Sequence, residues 1–151
     1  MYRVIEGIVE KNYDATKTAK TDMIVGMGVI KEGNEVKFPT STTAKDIFFV
    51  GKEFIPTGLD SLREMSDYEL QNIKNGEFVF IDKPIIGEQF WTDQTSGSIS
   101  VGDYVAVNSA GKFVKATTST TPSNLVVIST TYKDAGTHEG IVIEVVDWKT
   151  A

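Results

Sequence analysis

The feature that most constrains this chain is an apolar period of two, recurring in short runs that turn residues interrupt about every ten positions. Residues 2–10 (YRVIEGIVE), 23–30 (MIVGMGVI) and 47–50 (IFFV) are rich in Val and Ile and too short for amphipathic helices, so they read as strands. After Gly76 the pattern strengthens: 77–81 (EFVFI) alternates cleanly, Lys83-Pro84 breaks it, and 85–91 (IIGEQFW) follows before a polar turn region, TDQTSGS. Residues 103–107 (DYVAV) and 112–116 (KFVKA) flank Asn108-Ser109-Ala110-Gly111, a hairpin loop with glycine where a left-handed conformation is wanted. Residues 125–132 and 141–148 complete the set, separated by a Gly-containing loop over 133–140. The run 117–123 (TTSTTPS) is low in complexity and reads as an exposed connector. The pattern predicts a mainly β chain, a small antiparallel β-barrel or sandwich, with residues 76–148 as its best-supported core.

Other segments depart from the alternation. Ser61 with Glu64, and Ser66 with Glu69, have capping-box spacing, and Asn75-Gly76 supplies a stop, so one short helix is expected within 61–75. Leu62, Met65 and Ile73 share a helical face with the polar Glu69, and that face is read as core packing. Residues 11–22 (KNYDATKTAKTD) are polar without apolar periodicity, and are read as a solvated loop or a flexible arm that orders on a partner. Residues 39–45 (PTSTTAK) form a second polar connector.

With 151 residues, 40% of them hydrophobic and 24% charged, the chain is expected to form one soluble globular domain spanning 1–151. It has no cysteine, which removes disulfides, thiolate metal sites and cysteine nucleophiles, and its single histidine, His138, removes most zinc and triad chemistry. A formal net charge of −6 disfavours nucleic acid as a partner, because phosphate affinity comes mainly from Lys and Arg. The one basic cluster, Lys11, Lys17 and Lys20, is interleaved with Asp14 and Asp22. Glu6 and Glu10 interrupt the stretch where a cleaved secretory leader would be apolar, so export by that route is not expected. No run of about 18 apolar residues is present, so no membrane-spanning helix is expected.

Catalytic candidates are few, and each has a plainer reading. Asp82, Glu88 and Asp93 bracket the aromatic pair Phe90-Trp91, as carboxylates and platform do in a sugar hydrolase, but carboxylates at strand ends usually face water. Phe90 and Trp91 are adjacent, so on a strand their rings take opposite faces: one is expected in the core and the other partly exposed, able to anchor an interface. His138 lies in a polar, Gly-flanked loop and reads as a solvated side chain, and Gly26-Met27-Gly28 lacks the third glycine and helix of a phosphate-cradling loop. The residues therefore predict no enzyme, no catalytic, cofactor or metal site, and no bound cofactor. The candidate interface comprises Phe90, Trp91, Lys11, Lys17 and Lys20.

The order GDYVAVNSAGKFVKATT, then a strand, a loop and a final GIVIEVV, across about residues 76–148, resembles the small decoration, or cement, proteins of tailed-bacteriophage heads. The resemblance implies a structural virion protein, made in the host bacterial cytoplasm, that binds the exterior of the capsid through the major capsid protein and stabilises the shell. Homo-oligomerisation stays open, and neither nucleic acid nor membrane is an expected partner. Another phage head or tail subunit is the nearest rival. A carbohydrate-binding β-domain using Trp91, Tyr132 or Trp148 as a stacking platform is the alternative outside that class.

Overall fold

The computed structural model describes residues 2–6, 13–51, 72–117, 121–131 and 139–149, with 2–6 and 13 described by backbone alone. In chain order the strands are β1 (Tyr2–Glu6), β2 (Tyr13–Ala19), β3 (Met23–Ile24), β4 (Gly28–Glu32), β5 (Glu35–Lys37), β6 (Phe48–Gly51) and β7 (Asn72–Ile73). They continue with β8 (Phe78–Asp82), β9 (Gln89–Thr92), β10 (Val105–Val107), β11 (Phe113–Lys115), β12 (Ser123–Ser129) and β13 (Ile141–Lys149). No helix occurs among the described residues.

Strands β2-β5-β4-β6-β8 close into a barrel. Four of its pairings are antiparallel, and the fifth, β2 with β5, is parallel through Thr18↔Glu35 and Ala19↔Val36. A barrel of so few strands has a narrow interior, and β-branched residues fill it: Val29, Val36, Val50, Val79 and Ile81 are buried together. Closure gives every stave a ladder partner on both sides.

A four-stranded antiparallel sheet, β1-β9-β13-β12, and the β10-β11 hairpin enclose a second core. Strand β6 belongs to both cores, because successive side chains leave a strand on opposite faces. Val50 enters the barrel while Phe49 enters the second core, where its ring stacks on Phe90 (centroids 4.5 Å apart) and on Phe113 (5.2 Å). The two units are also stitched by main chain. The Gly28 amide donates to the Gly111 carbonyl (2.9 Å), Thr43 exchanges both backbone bonds with Val107, and the buried Thr92 hydroxyl donates to the Gly26 carbonyl (2.8 Å). A Cβ on Gly28 would lie 2.3 Å from Val107 Cγ2, so glycine is required for this approach.

The mainly β expectation holds, as does the hairpin over 108–111. Asn108 Oδ1 accepts from the amides of Ala110 and Lys112, and Gly111, at φ 75°, lies against the ring of Phe38. Two expectations need correction. Residues 13–19, read as part of a flexible arm over 11–22, form barrel stave β2; ladders to β8 and β5 hold it, and of its described side chains only Ala19 enters the barrel core. A strand fixed by backbone pairing on both sides needs little apolar patterning, which explains the silence of the sequence there. The expected helix over 61–75 ends instead as strand and turn. Asn72–Ile73 pairs with Met23–Ile24, Ile73 is fully buried, and the Asn75 amide donates to Asp22 Oδ1 (2.9 Å). Asn75-Gly76 thus turns the chain into β8, with the Gly76 amide bonded to the Ala19 carbonyl. Residues 61–71, which carry the capping boxes, lie outside the described residues.

Candidate functional site

The barrel's outer wall is a lattice of paired charges. Lys20 and Lys37 both donate to the carboxylate of Glu32, Lys20 also lies 3.9 Å from Glu35, and Lys31 lies 3.0 Å from Asp14. The hydrogen bonds from Lys20 and then Lys37 hold the Glu32 carboxyl down at about 2, and Glu32 in turn raises the Lys20 ammonium. Asp14 is held far below the ordinary carboxylate range by the Thr16 hydroxyl, then the Thr16 amide, then Lys31. Of the candidate basic cluster, Lys20 is consumed by this lattice, Lys17 is partly buried on β2 opposite Val79, and Lys11 lies outside the described residues.

Phe90 and Trp91 are corrected as well. Both are fully buried, because both faces of β9 are covered: Phe90 stacks on Phe49, while Trp91 lies on the opposite face against Gly140. Neither ring presents surface. The carboxylates around them do local structural work. Glu88 is fully buried and accepts from the Ile85 amide (3.0 Å), closing its own turn, and Asp93 accepts from the Gln94 side-chain amide (2.8 Å). Asp82 is buried at the end of β8, opposite Tyr13 and Phe49 in its two ladders. Among the described residues no group of three or more His, Cys, Asp or Glu side chains could hold a metal ion. His138 and Tyr132 lie outside the described residues.

Two surface features remain. One is a set of exposed apolar side chains on rigid strands and tight turns, chiefly Phe78 on β8, 72% exposed, and Trp148 near the end of β13, 50% exposed. The other is an open groove of ≈ 530 Å³ between β4, the start of β6 and the connector that joins β5 to β6. Ile30, Phe48 and Pro39 give it an apolar floor, and Thr40, Ser41, Thr43, Lys31, Lys45 and Asp46 line its rim. Lys31 holds its ammonium 4.7 Å above the Phe48 ring, a cation–π contact, and Asp46 takes a left-handed φ of 57°.

Neither a family model nor a curated protein matches the chain.

The groove was not visible in the sequence. Residues 39–45 carry only the signal of a polar connector, and nothing in that run reports that Ala44 and Ile47 are buried while the residues between them reach solvent. Phe78 was hidden differently. It opens an alternating run in which Val79 and Ile81 are the inward residues, so the parity of the strand marks it as outward-facing, but not as left uncovered.

Proposed function

We propose that the chain is a structural virion protein that binds the outer surface of a phage capsid and stabilises the shell, with the major capsid protein as its partner and no catalytic role. The observation that carries this reading is Phe78. A large aromatic side chain that is 72% exposed on a stave of a closed barrel costs hydration in the free protein, and its rigid mounting suits it to anchor a protein contact. Trp148 offers a second such point on the other core's sheet. The sequence resemblance to decoration proteins supplies the partner class. A protein of this kind acts by mass action: each bound copy must be released before the lattice under it can open, and many weak copies suffice where the lattice repeats their site.

The test is co-sedimentation of the purified chain with intact capsids, followed by heating of decorated and bare shells. Saturable attachment with a raised shell-disruption temperature is expected, and Phe78→Ser should weaken attachment while leaving the free protein's melting temperature in place. Free chain remaining in the supernatant at all ratios would overturn the reading. One observation favours a second reading, a carbohydrate-binding domain: Trp148 is a half-exposed ring of the kind that stacks on sugars, whereas Trp91 is buried. A saturable change in tryptophan fluorescence with a sugar panel, abolished by Trp148→Ala, would select it.

A further inference from the structure

Asn75 and Gly76 occupy the two central positions of the turn that leads from β7 into β8, and both are exposed. Across that turn the Glu77 amide donates to the Lys74 carbonyl (3.0 Å), and Gly76 takes a φ of 86°, a left-handed value that suits glycine. The Asn75 side chain makes no hydrogen bond among the described residues, whereas Asn108, in the β10-β11 hairpin, has its Oδ1 engaged by the Ala110 and Lys112 amides. At no other place in the chain does a glycine follow an asparagine. A side chain on the following residue would shield its amide nitrogen, and glycine leaves that nitrogen open to the neighbouring carboxamide. The main chain around the pair is nevertheless held. The Gly76 amide donates to the Ala19 carbonyl (2.7 Å) and the Ala19 amide to the Glu77 carbonyl (2.9 Å), which carries the β2–β8 seam one step beyond Thr18↔Phe78. The Asn75 amide donates to Asp22 Oδ1 (2.9 Å), and Asp22 Oδ2 lies 3.6 Å from the Lys74 ammonium. The Asn75 amide and then Lys74 hold the Asp22 carboxyl below its ordinary value, so it stays ionised, and able to accept, through the neutral range.

We infer that Asn75 is a self-modification site, and that the Gly76–Ala19 hydrogen bond at the end of the β2–β8 seam gates it. An amide nitrogen must shed its proton before it attacks, and the Gly76 proton is engaged by Ala19 for as long as the seam is shut. Once local opening releases it, the deprotonated Gly76 nitrogen attacks Asn75 Cγ. The new C–N bond closes a succinimide ring, and the Cγ–Nδ2 bond breaks, with Nδ2 taking up a proton from water and leaving as ammonia. Water then opens the ring at either carbonyl, giving aspartate or isoaspartate. Isoaspartate lengthens the main chain by a methylene between β7 and β8, and either product adds a carboxylate close to Asp22, where no opposite charge but Lys74 is paired. Each conversion therefore weakens the contact that held it back.

The inference stands independently of shell binding. The full chain is kept for several weeks in warm, mildly alkaline buffer, either folded or unfolded in guanidinium chloride. Each asparagine is followed by peptide mass mapping, with the aspartate and isoaspartate products separated by chromatography. In the folded chain conversion is expected at Asn75 ahead of every other asparagine, at a rate that rises with pH as amide deprotonation requires. Unfolding should speed it about tenfold or more, because the seam no longer has to open. Asp22→Ala, an exposed change that removes the acceptor of the Asn75 amide, should speed conversion in buffer about threefold or more, with hydrogen exchange at the Gly76 amide rising in step. In guanidinium chloride the same variant should match the parent chain, which separates loosening of the turn from any change in intrinsic reactivity. No conversion of the folded chain, conversion that favours another asparagine, equal rates for folded and unfolded chain, or no acceleration in Asp22→Ala would each overturn the inference.

Discussion

The barrel and the open sheet reach stability by different means. The barrel closes on itself, so each stave is paired on both sides, and it accepts a stave such as β2, of whose described side chains only Ala19 enters the core. The four-stranded sheet has no such closure, and large side chains carry it: Phe49 stacks on both Phe90 and Phe113, with Leu125, Ile143 and Val145 buried in the same core. Where hydrogen bonding is complete by topology, side-chain pattern is free to vary. Where it is not, packing must hold the edges, and pattern becomes strict.

The sharpest way to break this comparison is at the shared wall. Phe49→Ala removes the central ring of the second core while leaving every barrel ladder intact, and should cost about 3–5 kcal/mol in chemical denaturation. Amide exchange should then show β9, β12 and β13 losing protection before β4 and β8. Equal loss in both units would mean that the barrel has no separate footing. Gly111→Ala is expected to cost less, about 1–3 kcal/mol, because it combines a φ of 75° with a Cβ that would lie 2.4 Å from the Phe38 ring. Differential scanning calorimetry would check it, and an unchanged melting temperature would show that the hairpin loop can shift.

Acid sharpens the comparison from the barrel's side. The carboxyls of Glu32 and Asp14 are depressed in the folded protein, so their contribution is present above the unfolded-state values, near 4, and is lost as pH falls toward about 2. Melting temperature should decline across that window, and Glu32→Gln should flatten the decline. Because Glu32 is solvent-exposed, added salt should flatten it too. An acid limb identical in Glu32→Gln would remove the ion-pair lattice from the account. The smallest effect is expected at Thr18→Ala on β2, within about 0.5 kcal/mol, since backbone bonds rather than the side chain hold that stave. A loss of more than about 1 kcal/mol in urea titration would show that β2 depends on its side chains after all.

What could be read in advance follows the same division. Strands β9 to β13 were legible because their pairings are local or their faces strictly apolar: the β10-β11 hairpin declares itself through Asn108 and Gly111, and β13 through Ile141, Ile143 and Val145. Strand β2 was not, because its partners lie far along the chain and its side chains are those of a solvated segment. Strand β5 is only three residues long and carries one buried side chain, Val36, too little for a pattern, and Ile73 fitted a helical stripe as readily as the barrel end it fills. In the candidate interface, adjacency showed that Phe90 and Trp91 face opposite sides; it could not show that both sides of β9 are covered.

The barrel is shut by its first stave meeting its last, Tyr13↔Asp82 and Thr18↔Phe78. During synthesis, β2 leaves the ribosome long before β8 exists, and must wait with one edge unsatisfied through the whole intervening stretch. Closing so long a loop is slow, and an open β edge in the meantime invites pairing with other chains. Nascent products released before Asp82 should therefore be the ones that aggregate, and the polar side chains of β2, Asp14, Thr16, Lys17 and Thr18, limit that hazard while the stave waits for its partner.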